Sequence, residues 1–236
     1  MPTVFFQEPE ETELEAAQRK VAELEAELGP EHLNLVEPLE AVMMIHYRQA
    51  QYGKVVALCR QMLAIREKSL GPNHPDISTD LNNIAFMLKM QGFYAEARPL
   101  YERSLAIKEK VFGPERPKVA LALNNLASLL HSQGSYAEAR PLYERSLAIF
   151  EKSLGPEHPN VATALNNLAY LLEDQGSYAE ARPLYEQGLR GTLNHLSLNM
   201  GSMTETERFR YLATKKGPEP LLLNLVAMRG EGPKED

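Results

Sequence analysis

Apolar residues recur at helical spacing through the middle of this chain. Within residues 117–134, four of them follow the i, i+3, i+4, i+7 spacing that places side chains on one stripe of an α-helix: Leu123, Leu126, Ala127 and Leu130. A second stripe follows Gly134 and contains Tyr136, Ala139, Tyr143 and Leu147. Glycine readily adopts the left-handed conformation that ends many helices. The pattern therefore predicts two consecutive helices with a turn at Gly134.

Polar residues and prolines indicate where these helices begin. Pro117 suits the first turn of the first helix, where its missing N–H is not needed. Ser135 and Glu138 have the spacing of a capping box for the second helix, and Ser177 with Glu180 repeats it. Proline also falls in the second turn of that helix, where it removes a backbone hydrogen bond, at Pro99, Pro141 and Pro183. This predicts either a kink or a later helix start, and both alternatives stay open.

The helix pair repeats every 42 residues. Gly-Pro pairs that begin at 29, 71, 113 and 155 mark the period, because successive pairs differ by 42. The last two units, 112–153 and 154–195, are identical at 27 of 42 positions. Such repetition is typical of stacked arrays in which each unit buries its apolar face against the next. The repeat therefore predicts an all-α solenoid of antiparallel helix pairs.

The spacing L-x2-L-A-x2-L from Leu123, followed by A-x3-Y from Ala139, is similar to that of the tetratricopeptide repeat. The strings LGPEHPNVATALNNLAYLL and QGSYAEARPLYE resemble the repeats of kinesin light chains and of bacterial proteins with the same repeat type. The resemblance is strong over residues 70–190 and weak over 28–69, so the first unit is degenerate. It implies a right-handed superhelix whose concave groove holds a peptide or a segment of a partner protein.

The period predicts six segments along the chain. They are an N-terminal capping helix (1–28), a degenerate repeat (29–69), three repeats (70–111, 112–153 and 154–195) and C-terminal capping helices with a tail (196–236). The first segment also has heptad-like apolar steps, so dimerisation through a short coiled coil is the alternative to capping. Thr204 and Glu207 form a further possible capping box. Residues 204–227 resemble the connector of bacterial TPR–CHAT proteins, whose next domain is caspase-like.

Composition excludes several classes of protein. The net charge of −7 and the absence of a Lys/Arg cluster argue against binding to nucleic acid or an acidic membrane surface. The single cysteine, Cys59, excludes an internal disulfide and a Cys-based zinc site. The first residues lack the pattern of a signal peptide, and the apolar run 221–228 is too short to span a bilayer. A cytoplasmic protein is therefore expected.

No pattern typical of catalysis is present, so we expect no catalytic residue, no metal site and no cofactor. Three histidines recur in the Gly-Pro-x-His turn, which favours a role in stabilising the turn over metal binding: His32, His74 and His158. Cys59 occupies the core position of Tyr101 and Tyr143 one and two periods later, so it is interpreted as a buried, unreactive thiol.

The candidate binding residues lie beside the core stripe of each first helix. Because a helix advances about 100° per residue, Asn124, Ser128 and His131 share one face next to that stripe. The resemblance to tetratricopeptide arrays implies that this face lines the groove. The candidate peptide-binding residues form three equivalent sets: Asn82, Phe86 and Lys89; Asn124, Ser128 and His131; Asn166, Tyr170 and Glu173.

Asparagine is the feature that these sets share. Its amide offers a donor and an acceptor, which can pair with the backbone of an extended peptide of any sequence. The resemblance to kinesin light chains implies the same use of groove asparagines. A second asparagine follows each one and either contacts the ligand too or bridges between repeats: Asn83, Asn125 and Asn167. Charge along the row changes from Lys89 through a solvated His131 to Glu173 and Asp174, which suits a ligand with the opposite order of charges.

These patterns predict a non-catalytic scaffold that binds a peptide or a segment of a partner protein in its concave groove. The first alternative is an assembly protein that forms homo-oligomers through its terminal helices. The second is a regulatory subunit for a separate enzyme, such as a caspase-like protease. The sequence distinguishes the class of protein better than it distinguishes these three roles, because one fold hosts unrelated partners.

Overall fold

A computed structural model describes the backbone of residues 11–200 and the side chains of residues 11–194. Helices follow one another through this range, and it contains no β-strand. A short 3₁₀ turn at Leu33–Leu35 precedes α2. The helices are α1 Glu13–Leu28, α2 Val36–Arg48, α3 Tyr52–Leu70, α4 Pro75–Met90, α5 Tyr94–Phe112, α6 Pro117–Ser132, α7 Tyr136–Leu154, α8 Pro159–Asp174 and α9 Tyr178–Met200. The predicted all-α fold of sequential antiparallel pairs is confirmed.

Each first helix (α2, α4, α6 and α8) is followed by a second helix (α3, α5, α7 and α9). The described residues fall into two compact units, one ending at Ile107 and the other beginning at Lys108, within α5. The predicted capping segment 196–236 and its Thr204–Glu207 box lie almost entirely outside the described residues. The six segment boundaries derived from the sequence remain predictions.

Histidine begins two of the first helices. The Nδ1 atoms of His74 and His158 accept hydrogen bonds from the N–H groups of Asp76 and Asn160, at 3.3 and 3.1 Å. A proline occupies the next position, where its fixed φ suits the first turn. His32 makes the same contact at the 3₁₀ turn, where it accepts from a backbone N–H at 3.2 Å. The predicted role of the three histidines in the turns is thus confirmed.

A glycine of positive φ ends each of the later first helices, as the sequence predicts. Gly134 has φ 74°, and its N–H donates to the carbonyl of His131 at 2.9 Å. The next N–H, of Ser135, donates to the carbonyl of Leu130 at 2.9 Å. These two bonds form a Schellman motif, which satisfies carbonyls that the helix end leaves unpaired. Ala50 closes α2 in the same way with φ 55°, although it is not a glycine.

The predicted capping box at Ser135 is wrong. Ser135 is the N-cap of α7, but its side chain makes no capping hydrogen bond. Its ψ of 57° departs from the extended value that aims an N-cap side chain at the first turn. Thr12, with ψ 156°, does form a capping box with Glu15 at the start of α1. The tight Schellman turn before Ser135 accounts for the difference, because it sets the backbone direction at the helix entry.

The prolines of the second helices lie inside continuous helices. α7 begins at Tyr136, five residues before Pro141, and α5 and α9 place Pro99 and Pro183 in the same way. The alternative of a later helix start is therefore wrong. All three prolines are exposed to solvent, so water can satisfy the carbonyl that each proline leaves without a partner.

The unit that begins at Lys108 has an interior made mainly of hydrocarbon side chains. Tyr143, Phe150 and Leu123 are each at most 2% exposed, and the predicted small positions Ala127 and Ala139 are fully buried. The pKa of the Tyr143 hydroxyl is raised to about 12, chiefly by burial. A buried serine ties the two helices of the pair together, since the Oγ of Ser146 donates to the Ala120 carbonyl at 2.7 Å. The same arrangement joins Ser104 to the Ser78 carbonyl in the other unit.

The unit that ends at Ile107 combines an apolar cluster of Ile77, Leu81 and Ile107 with a partly buried ion network. Arg66 donates to Glu40 at 2.7 Å and to Asp80, whose side chain is almost fully buried. Cys59 is buried, and burial raises the pKa of its thiol to about 11, as expected for an unreactive thiol.

The N-terminal helix α1 packs against α2 and the 3₁₀ turn of its own chain. A gap of about 370 Å³ between α1, α2 and α3 is lined by Val21, Leu39 and Val42. Arg48 at the end of α2 pairs with Glu13 of α1 at 2.6 Å. Within the described residues, no helix is both long and apolar enough to cross a bilayer.

Candidate functional site

Each first helix presents a solvent-facing row on the side opposite its buried stripe. We call this the exposed row, and it advances by four, three and four residues as one helix face requires. In α6 it consists of Leu121, Asn125, Ser128 and Ser132; in α8 of Thr163, Asn167, Tyr170 and Asp174; in α4 of Thr79, Asn83, Phe86 and Met90. Of the nine candidate binding residues, only Phe86, Ser128 and Tyr170 belong to it. The other six lie about one residue round the helix, towards its packed sides.

The asparagines of α6 and α8 make different contacts. Asn167 donates from Nδ2 to Oδ1 of Asn124 at 2.9 Å, so these two amides bridge α8 and α6. This is the bridging role that the sequence left open for the second asparagine. The Oδ1 atom of Asn166, by contrast, is buried and has no hydrogen-bond partner. That oxygen is therefore closed to a ligand, unlike the exposed amide that the sequence predicts.

A glycine explains the orientation of Asn166. Gly188 occupies the position that is a serine in the two preceding helix pairs, Ser104 and Ser146, since the three residues are 42 apart. A Cβ at Gly188 would lie 2.5 Å from Oδ1 of Asn166 and 3.3 Å from the Ala162 carbonyl oxygen. The asparagine side chain therefore occupies space that a serine side chain fills elsewhere.

His131 is the centre of an aromatic cluster rather than a solvated residue. Its side chain is only 10% exposed, which corrects the expectation from the sequence. Its Nε2 lies 2.8 Å from Oδ2 of Asp174, and its ring centroid lies 5.1 Å from that of Tyr170. Tyr136 and Tyr143 contact it edge-on, at 5.5 and 6.4 Å. The histidine thus supports two members of the exposed row, Tyr170 and Asp174.

The charges predicted along the groove are only partly available to a ligand. Glu173 accepts a hydrogen bond from the Tyr185 hydroxyl at 2.7 Å, so it is engaged with the second helix of its own pair. In the other unit, burial lowers the pKa of the half-buried Lys89 amine. The exposed row near Lys89 is apolar instead, because Phe86 is 43% exposed and Met90 66%.

Sequence reasoning missed Leu121 as a member of the exposed row, and it named Asp174 for its charge without placing it in a candidate set. The available signal is the offset of the bridging pairs, since Asn124 and Asn167 are 43 residues apart, as are His131 and Asp174. Side chains of α6 therefore contact side chains of α8 that lie 43 residues further along the chain, which is one residue more than the repeat length. A prediction that pairs residues exactly 42 apart does not identify the side chains that touch.

The described part of the chain lacks what a metal site needs. Between residues 11 and 194, no group of three or more His, Cys, Asp or Glu side chains is placed to hold a metal ion. What the exposed row offers is a surface with aromatic, amide, hydroxyl and carboxylate groups, which is suited to recognition of another molecule.

Profiles of the tetratricopeptide repeat match residues 44–76, 77–152 and 118–193. These matches cover most of the chain, which therefore belongs to the tetratricopeptide repeat family. Repeats of this family generally mediate protein–protein interactions and are usually non-catalytic. A comparison with curated proteins finds no match.

Solved structures support the kinesin-light-chain-like type. A putative kinesin light chain from Podosopora anserina with nearly identical TPR-like repeats is 27% identical, with a TM-score of 0.67 over 77% of this chain and 86% of that chain. BtubC (BKLC) from P. vanneervenii is 22% identical, with a TM-score of 0.64 over 95% and 94%. A Rap protein complexed with competence and sporulation factor is 19% identical, with a TM-score of 0.59 over 91% and 61%. The last two establish the fold alone.

Proposed function

We propose that this protein is a non-catalytic interaction module that binds a segment of a partner protein along the exposed rows of α6 and α8. The observation that carries the proposal is the exposure of large apolar side chains on those two rows. Tyr170 is 53% exposed on α8, and Leu121 is exposed on α6. Aromatic side chains dominate many binding surfaces because they bury a large area at a small entropic penalty.

The amides of the row add a second reason. Asn167 lies beside Tyr170 and is held at a set position by its bond to Asn124. Such an amide can pair with the backbone of an extended segment without regard to its side chains. On α8, the asparagine hypothesis therefore rests on Asn167 rather than Asn166, because the oxygen of Asn166 is buried.

Selection from a random peptide library, followed by affinity measurement with variants of single residues, tests this function. Truncation of Tyr170 (Tyr170→Ala) should reduce the affinity for the selected peptides by about fivefold or more, the effect typical of an interface anchor. Leu193→Ala is the matched control, because Leu193 is also half exposed but lies on the second helix α9. Binding that responds equally to both changes, or to neither, contradicts the proposal. Thermal unfolding of both variants shows that the fold is retained.

Assembly through α1 is the second candidate. Helix α1 packs against α2 and the 3₁₀ turn of its own chain, which supports a capping role for α1 instead. We therefore expect sedimentation of the intact protein to show a monomer. A dimer that disappears when residues 1–28 are removed would establish the assembly role. Regulation of a caspase-like enzyme stays a hypothesis drawn from the resemblance of residues 204–227.

A further inference from the structure

We propose that the exposed row of α6 and α8 binds a basic protein segment, with an arginine or lysine side chain lying over Tyr170 and paired with Asp174. The inference deepens the proposed function and rests on it. Three observations point to this ligand: the charge of the row, the direction of its hydrogen bonds and the pairing of Tyr170 with Asp174.

The charge of this row is negative. Asp174 lies on it, and Glu173 is the adjacent residue. The row contains neither lysine nor arginine, and Lys118 at the start of α6 lies over the Phe112 ring, 4.3 Å from its centroid. His131 is already in contact with Asp174 and is largely buried. A cationic segment is therefore favoured over an acidic peptide or a nucleic acid, both of which the carboxylates repel.

Two hydroxyl groups of the row donate their hydrogens to carbonyls of their own helices. Ser132 donates from Oγ to the Ser128 carbonyl at 2.8 Å, and Thr163 donates from Oγ1 to the Pro159 carbonyl at 3.1 Å. One of the two N–H groups on Nδ2 of Asn167 is used on α6. The two hydroxyl groups can therefore offer a ligand only their oxygen lone pairs. Guanidinium and ammonium groups have only donors, so they complement such a surface.

Tyr170 and Asp174 form the specific part of the site. They are four residues apart on α8, which makes their side chains neighbours on one helix face. His131 contacts both, and its bond to Oδ2 of Asp174 holds the carboxylate beside the ring. A cation over an exposed tyrosine ring gains about two- to fivefold in affinity from cation–π attraction, and a carboxylate beside the ring adds a charged hydrogen bond.

Peptides selected from a random library by the intact protein should be enriched in arginine and lysine. For such a peptide, Asp174→Asn should reduce affinity about tenfold while the Asn oxygen keeps the contact with His131, since hydrogen bonds to charged groups are the stronger ones. Asp174→Lys should shift the selection towards acidic peptides. Glu144→Gln is the control, because it removes an exposed carboxylate from α7, away from the row. It should leave affinity unchanged, and thermal unfolding of each variant shows that the fold is retained.

The outcomes separate this inference from the proposed function. Selected peptides that are neutral or acidic, yet depend on Tyr170, overturn the basic-segment proposal and leave the interaction role intact. Basic peptides whose affinity falls equally with Asp174→Asn and Glu144→Gln indicate attraction to net charge alone, and also overturn it. Peptides that ignore every change on the row contradict the proposed function itself.

Discussion

The two units are built from the same kind of helix pair, but equivalent interior positions hold charged residues in one unit and mainly apolar residues in the other. In the unit that ends at Ile107, Arg66 of α3 lies between Glu40 of α2 and Asp80 of α4, and Asp80 is buried. Two periods later, the equivalent residues are Asn124, Phe150 and Ala164. Phe150 and Ala164 are almost completely buried, so a phenyl ring and a methyl group replace a buried ion pair.

This contrast indicates that the repeat constrains volume and pairing more than chemical type. A buried charge is tolerated where a partner of opposite charge is built in beside it, and removal of one partner exposes the full desolvation penalty of the other. Replacement of the whole ionic group by well-packed apolar residues is often neutral or stabilising. All three residues of the ion network therefore differ together from their equivalents two periods later.

The largest expected effect comes from breaking the ion network. Arg66→Ala should reduce the free energy of unfolding by about 3 kcal/mol, because it leaves the buried Asp80 without its counter-charge. Conversion of the group to the composition of the later repeat, Glu40→Asn with Arg66→Phe and Asp80→Ala, should bring stability back to within about 1 kcal/mol of the wild type. Urea denaturation of the three proteins measures both differences.

An exposed ion pair provides the control for this comparison. Arg182 pairs with Glu186 one turn away on α9, and both side chains are about half exposed. Arg182→Ala should change the free energy of unfolding by less than about 0.5 kcal/mol. If the triple variant is as unstable as Arg66→Ala, the interiors of the two units are not interchangeable and the comparison fails.

The turns between paired helices give the next largest effect. Ala50 adopts φ 55° at the position where the later unit has Gly134 with φ 74°. Ala50→Gly should stabilise the protein by about 1 kcal/mol, because glycine adopts this conformation without strain. Gly134→Ala should destabilise it by a similar amount. Equal and opposite shifts in the urea midpoint are expected, and shifts of the same sign would contradict this account.

A smaller effect distinguishes the last helix pair from its predecessor. Gly188→Ser should stabilise the protein by about 0.5 to 1 kcal/mol, since serine is the better helix former and its hydroxyl can bond to the Ala162 carbonyl as Ser146 does to Ala120. The flexible end of Asn166 must then move out of that space. Thermal unfolding measures the gain, and a lower melting temperature would show that Asn166 cannot leave.

The smallest effect is a dependence on pH. Burial raises the pKa of Asp80 above its ordinary value, although Arg66 opposes this shift. An acid with a raised pKa in the folded state stabilises most below its unfolded pKa, and this contribution is lost as pH rises through the folded pKa. Stability of the wild type relative to Asp80→Asn should therefore fall as pH rises from the ordinary pKa of an aspartate through the raised pKa of Asp80. The opposite slope in parallel urea titrations would show that pairing with Arg66 outweighs burial.

Much of the fold could be predicted from particular residues. The apolar stripe from Leu123 to Leu130, the glycine at 134 and the histidine turns all act within a few residues, so their spacing is sufficient. Cys59 could be placed in the core by its register with Tyr101 and Tyr143. The lack of a capping hydrogen bond at Ser135 was not predictable, because it depends on a ψ angle that the preceding turn imposes.

The candidate site was predicted only in part. Phe86, Ser128 and Tyr170 are on the exposed row, whereas His131 and Asn166 have side chains that turn towards neighbouring helices. The position of a residue along a helix gives the direction of its side chain only approximately. Which of two adjacent residues is exposed then depends on the neighbouring helix, whose contacting residues are 43 rather than 42 positions away along the chain.

The sequence by itself determined the helices, their order, their turns and the membership in a repeat family, because these follow from short-range spacing and from the period of 42 residues. Only the tertiary structure decided which polar side chains remain accessible, since that depends on the distance and offset between neighbouring helices. The pairing of His131 with Asp174, the bridge from Asn167 to Asn124 and the burial of Asn166 beside Gly188 all arise from contacts between residues distant along the chain.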